Sequence, residues 1–482
     1  MPDHPRTTRP YGFVIAVLAF AGLGASFMQT ILIPIQPRLP QLLHASGEDT
    51  PWVITSTLIA AAICTPIAGR LGDMYGKRRI AMALLLLQAA GAILAALSSA
   101  LIPLIIARVL QGMAAGVIPL GISILRDVLP AKRLGSAVAL VSATLGVGGA
   151  LGLPLSALVA ENFDWHALFW VAAGIAVACF LLYAVFVPAS TMRTPARLDV
   201  VGIVGLSLGL IGVLIAISRG SEWGWGDTRT LGFLIAGIVV LLAWGFLELH
   251  ITDPLVDLRV SARGAVLLTN LASAAMGFAL FASNVVFPQL LELPVGTGIG
   301  LGLSLVAAAL VLAPSGVAMM AISPIAGRLE RLRGPKPLLI AGAGVIGISY
   351  AAAILFHAEF WQILIVNILL GVGVGLGYAA MPALIMQAVP ASETGAANGL
   401  NALMRSLGTS IASAVIGAVL AQSVTTSGGV TGPTEQGFMA TLAMGLGAAL
   451  LCVLLAVLIP RTKKFPETAA VLEAPLEDAV SA

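Results

Sequence analysis

Charge is what this chain has least of: Asp, Glu, Lys and Arg make up 10% of its 482 residues. A water-soluble chain carries about a quarter, so this one cannot clothe a surface that faces water, and lipid must be its solvent over much of its length. Cysteine is nearly absent as well. Cys64, Cys179 and Cys452 all fall inside apolar runs, which excludes a disulfide framework and leaves them as small packing residues. The five His, at 4, 44, 166, 250 and 357, include no two at metal-ligand spacing. Neither a metal centre nor the clustered acid–base groups of an intramembrane enzyme can be built from them, so the chain reads as no enzyme. It holds no GxxxxGK[ST] string, so ATP does not drive it directly and no cofactor is implied. The alternating ten-residue segments of an outer-membrane barrel are missing, and so is the concentrated basic face of a nucleic-acid binder.

What is present is apolar length. Hydrophobic residues make up 59% and the mean hydropathy is +1.02; crossing the hydrocarbon takes roughly 20 apolar residues. Fourteen runs qualify: 12–34, 51–69, 79–98, 102–127, 134–160, 167–187, 200–218, 230–250, 263–290, 300–328, 337–356, 360–386, 394–422 and 437–460. No small-residue cleavage site follows the first, so it reads as an uncleaved span. Sorting the 25 Lys and Arg by side leaves only Arg38, Arg219 and Arg229 on one face, with Arg108 and Arg405 inside spans. All the others collect on the opposite face. That bias orients the chain with both termini cytoplasmic, as a multi-pass protein of a bacterial inner membrane.

The second half repeats the first. TPIAGRL at 65–71 returns as SPIAGRL at 323–329, and Gly76 matches Gly334. RVLQGMAAG at 108–116 faces NILLGVGVG at 367–375, and PAKRLGSA at 130–137 faces PASETGAA at 390–397. The offset drifts only from 258 to 260. The fold expected is therefore all-α and integral to the membrane: two six-helix bundles, 12–190 and 263–460, with two inserted helices at 199–250. A cytoplasmic N-terminus (1–11) and tail (461–482) flank them. Parallel repeats of this kind place a substrate site at the interface of the halves, near the bilayer midplane, and rock around it for alternating access. The inserted pair has no repeat partner and is expected outside that core.

Between helices 2 and 3 the sequence reads GRLGDMYGKRR at 69–79. It resembles motif A of the major facilitator superfamily in Gly69, Leu71, Asp73, Gly76 and the basic run. Gly69 and Gly76 permit close approach and a tight turn, and Asp73 and Lys77 are a helical turn apart. The resemblance implies that Asp73 faces the N-terminal end of helix 13 and that Asp127 completes a charge relay with Lys77, a latch for the outward-open state. LIIARVLQGMAAG at 104–116 is similar to the helix-4 motif of proton antiporters in that superfamily, with Arg108 inside a span, where a cation marks function by default, and Gln111 sharing its face. GVGGALGLP at 146–154 resembles the glycine-rich helix-5 motif of exporters; Gly148, Gly149, Gly152 and Pro154 carry it, although the usual Gly-Pro pair is here split by Leu153. DWHALFW at 164–170 and DPLVDLRV at 253–260 resemble the fourteen-span drug:proton antiporter branch.

One departure matters. That branch carries an Asp in helix 1, in a pattern like LDxTxxNxALP; here 27–37 reads FMQTILIPIQP, with Met28 where the acid belongs. No other span holds an acid at its middle, and the candidates nearer the ends are Asp127, Glu161, Glu248 and Glu292. Glu292 and Arg405 join Arg108 and Gln111 as coupling candidates. By resemblance the cavity lining includes Met28, Gln29, Thr30, Gln36, Asn270, Phe281, Asn284, Asn367 and Asn401, a set of neutral polar and soft apolar groups that suits drug-sized amphipathic molecules. The function expected is export of such compounds by proton antiport, by a monomer; uptake or exchange of a small nutrient on the same fold is the alternative, favoured by the missing acid.

Overall fold

The structure is a computed structural model that describes residues 11–32, 35, 38–46, 49–189, 196–297, 299–427 and 430–460. Gln36 and Pro37 lie outside these, as does the side chain of Glu161. With no water to serve backbone groups inside a bilayer, each apolar run satisfies its own N–H and C=O groups by coiling. Among the described residues, fourteen helices are long and apolar enough to cross. They are α1 (Tyr11–Thr30), α2 (Trp52–Tyr75), α3 (Lys77–Ala96), α4 (Leu101–Val128), α5 (Ala131–Asn162), α6 (His166–Phe186), α7 (Val200–Trp223), α8 (Thr228–Glu248), α9 (Gly264–Glu292), α10 (Leu305–Arg333), α11 (Pro335–Leu355), α12 (Phe360–Ala388), α13 (Thr394–Gln422) and α14 (Glu435–Leu458).

Three details differ from the sequence expectation. A short antiparallel hairpin, β1 (Val424–Ser427) with β2 (Val430–Pro433), joins α13 to α14; its β-branched VTTS and VTGP flank a Gly-Gly pair, a hairpin signal that the search for long apolar runs passes over. Helix α10 breaks at Pro314, which begins a new helical segment, because proline cannot donate the backbone bond its position requires. And α7 runs past 218, so Arg219 is not a loop cation: it is 2% exposed, paired with Glu222 and stacked 4.6 Å over the Trp52 ring.

Helices α1–α6 and α9–α14 form two bundles whose apolar cores touch where Ala139 and Ala143 of α5 and Met386 of α12 cross the divide. Their kinship survives in three dimensions. Gly112 of α4 abuts the Thr57 carbonyl of α2, and its repeat counterpart Gly371 of α12 abuts the Ser315 carbonyl of α10; a Cβ on either would overlap that oxygen. Gly76 and its counterpart Gly334 both take left-handed φ, 106° and 84°, the turn that only glycine makes cheaply. The bundles meet along two related seams, α2 against α13 and α5 against α10. Of the inserted pair, α7 covers the first seam: Leu206, Leu210 and Leu214 pack with Ala62 of α2 and Leu403 of α13. Helix α8 packs on α7 and is otherwise turned outward.

Candidate functional site

The bonds between the two halves gather at the membrane face that carries the basic loops. There α2 and α13 approach until a Cβ on Gly395 would lie 2.7 Å from the Gly69 carbonyl. This closeness delivers the Asp73 carboxylate to the first turn of α13, where it accepts from the backbone N–H of Gly395 (3.2 Å) and Ala396 (2.8 Å). Helix N-termini present unpaired N–H groups and a partial positive charge, so an anion is held there on two counts. Lys77, 1% exposed, sits 3.8 Å from Asp73 and donates to both carboxylate oxygens of Asp127 at 2.8–2.9 Å. The chain of charges runs α13, Asp73, Lys77, Asp127, with Asp73 and Lys77 buried and Asp127 half-buried at its end.

Other residues at the two seams carry no signal in the sequence. Arg126, beside Asp127, reaches across the halves to the Thr394 hydroxyl (2.7 Å) and the Val389 carbonyl (3.5 Å). On the second seam Glu330 lays its carboxylate against Gly135 near the start of α5, one of its oxygens buried without a partner, while Arg331 donates to the Ser136 hydroxyl at 2.9 Å. Arg331 occupies the repeat position of Asp73, so the acid of the second seam stands one residue earlier. A search for matching letters overlooks it.

Behind the seams lies a small central cavity bordered by both halves, with a free volume of ≈ 10 Å³, room for about one water. Ser142 of α5 and Asn398 of α13 each turn a buried, unpartnered oxygen toward this region. Arg405 borders it too, its guanidinium 4.9 Å over the Tyr378 ring. Asn401 links the cavity wall to a buried network, donating to Asn270 (2.9 Å) and Ser273 (2.7 Å).

Arg108 is 0% exposed and does not reach for the outer surface. It donates to the Met28 carbonyl (2.9 Å), Gln111 Oε1 (2.7 Å) and the Val53 carbonyl (3.3 Å), tying α4 to the ends of α1 and α2. Its repeat counterpart Asn367 does the same in the other half, donating at 2.9 Å to the Leu312 carbonyl beside the α10 break. Among the predicted cavity residues, Asn401 borders the central cavity. Met28 is 1% exposed in an apolar cluster, Gln29 and Phe281 are half-buried, Asn284 is exposed, and Thr30 packs on Gly149 and Gly152 of α5. Gly148 lies against Ser26, and Pro154 is buried within α5, so the glycine-rich segment joins α5 to α1 of its own bundle. The opposite bundle is met nearer the basic face, where Gly146 abuts Met319. Glu292, the last residue of α9, is exposed.

Residues 18–412 match the Major Facilitator Superfamily, and a second match covers 267–481. The tetracenomycin C resistance and export protein of Streptomyces glaucescens is 27% identical over 86% of this chain and 77% of its own length. The lincomycin resistance protein LmrB of Listeria monocytogenes is 26% identical over 91% of this chain and 93% of its own, and the multidrug resistance protein Stp of Mycobacterium tuberculosis is 25% identical over 83% and 74%. Among solved structures, the human organic anion transporter MFSD10 (TETRAN) shares the fold, with a TM-score of 0.66 at 14% identity, over 94% of this chain and 100% of that one. Paired bundles, a doubled sequence and relatives that are transporters lead to one assignment: this chain is a membrane transporter, not an enzyme, and belongs to the Major Facilitator Superfamily.

Proposed function

We propose that the chain exports small amphipathic compounds from a bacterial cytoplasm in exchange for protons, working as a monomer by alternating access with both termini cytoplasmic. The observation that carries this reading is the central cavity, closed at the basic face by two seams and lined from both halves by unpartnered polar oxygens. Such groups call for a polar partner, and the cavity has room for about one water and none for cargo until the halves part. The names of the resistance and export proteins among its relatives support export as the direction. In this reading the Asp73–Lys77–Asp127 chain latches the cytoplasmic end of an outward-facing conformation. Arg108 and Gln111, with Arg405 and Glu292, are the coupling candidates.

The test is dye or antibiotic efflux in vesicles. Movement that collapses with an uncoupler and with Arg108→Ala supports proton-driven export; uncoupler-insensitive movement refutes the coupling. The absence of an acid from α1, where Met28 is packed among apolar neighbours, favours a second reading, uptake or facilitated exchange of a small metabolite. Substrate accumulation in right-side-out vesicles selects it.

A further inference from the structure

The inserted pair holds a site that transport through the central cavity does not use. Between α7 and α8, at their basic-face ends, lies a groove of ≈ 370 Å³ walled by Val201, Val204, Gly205, Trp244 and Leu247 and ending at Glu248. Its apolar walls face outward: Val201 is 62% and Leu247 46% exposed, so in a bilayer the lipid leaflet fills it. Glu248 is the opposite, 2% exposed; the Trp244 N–H and the Val256 and Leu255 amides are the donors nearest its carboxylate, and none of them meets it in good hydrogen-bond geometry. A second acid adjoins it. A Cβ on Gly202 would lie 2.7 Å from Glu248 Oε1 and from the carboxyl carbon of Asp199. Asp199 accepts from the Gly202 and Leu255 amides, and among the described residues neither acid forms an ion pair. A buried and a half-buried carboxylate that share one glycine repel each other and call for a cation.

Cations stand at the rim without neutralising them. Arg259 donates to the Leu249 carbonyl at 2.7 Å, and Arg197 is exposed two residues before Asp199. The Trp244 ring adds an aromatic face, which attracts an ammonium group; its N–H is buried near the Glu248 carboxylate. From depth outward the arrangement is an apolar slot, an anionic pair, then a basic rim. A molecule that fits has a hydrocarbon tail, an ammonium group with N–H donors and a phosphate. We propose that the α7–α8 groove binds an aminophospholipid of the inner leaflet, its ammonium donating to Glu248 and Asp199 and its phosphate facing the basic rim. An anionic lipid without an amine would bring only negative charge to the acids, and a trimethylated headgroup has no N–H to donate.

Native mass spectrometry of the full-length protein, released from vesicles of phosphatidylethanolamine, phosphatidylcholine and phosphatidylglycerol, tests the site. The wild type should retain phosphatidylethanolamine above the other two. Glu248→Gln removes a charge-assisted hydrogen bond and should cut that retention about tenfold, leaving phosphatidylglycerol retention unchanged. Val204→Trp, which fills the slot and keeps both acids, should displace the lipid as well. Equal retention by the wild type and both variants overturns the proposal. So does equal loss of all three lipids, or a Glu248-dependent binding of dodecylammonium with no preference for phosphatidylethanolamine, which would make the groove a port for soluble cationic amphipaths.

Discussion

Arg108 spends all its polar contacts on its own bundle: two backbone carbonyls and one side-chain amide. Truncation to Ala takes this donor from the Met28 carbonyl and Gln111 Oε1, while the Val53 carbonyl keeps the Thr57 hydroxyl, and it leaves a cavity, so it should lower stability by about 2–4 kcal/mol as well as stop efflux. Arg108→Lys keeps the charge but not the planar fork that serves three acceptors at once. Thermal unfolding of the two variants beside their efflux separates the roles. If Lys restores stability and not transport, the guanidinium acts in the cycle; equal recovery of both would make it a structural tie. Asp73 poses a different experiment. Asp73→Asn removes the charge that the α13 N-terminus holds, and should open the basic end to reagents. A cysteine placed at the central cavity by Ser142→Cys reports this, its alkylation from that face expected to rise about tenfold. No change in rate would deny Asp73 a gating role.

At the scale of elements, the turn before α13 adds a pH term to the seam. Glu393 stands beside the latch, and its carboxyl is pushed above the ordinary carboxylate range by burial first and then by Asp257, with Arg70 and Arg263 opposing. A raised acid holds its proton better folded than unfolded, so its contribution is present at low pH and is lost as pH rises through the folded value. Glu393→Gln should therefore raise the unfolding midpoint at pH 8 more than at pH 5. Equal shifts at both values would place the effect elsewhere.

The helices themselves were legible from hydropathy, because a bilayer imposes a length and forbids charge. Which face each helix turns to its neighbours was not. Spans such as α12 and α14 are apolar all round, and lipid is as apolar as a protein interior, so nothing in the sequence marks Met28 as packed or Asn284 as exposed. Arg126 and Thr394 meet across 268 residues, and Glu330 departs by one place from the repeat. Both depend on how the bundles dock.

At the scale of the whole molecule, every cross-bundle bond described above lies toward one face, so closing that face should be separable from everything else. Ser136→Cys with Arg331→Cys, bridged by a short bifunctional thiol reagent, should pin α5 to α10 and halt transport. A cleavable bridge should restore it when reduced. Undiminished transport by the bridged protein would mean that the second seam never parts. The recurrence of Gly112 on Thr57 as Gly371 on Ser315 has a further consequence. The chain carries two editions of one joint, each in its own bundle, under the same temperature and membrane and at identical copy number. A bulky residue written into one edition has its matched control in the other, and the difference between them reads out what evolution has made of a duplicated part.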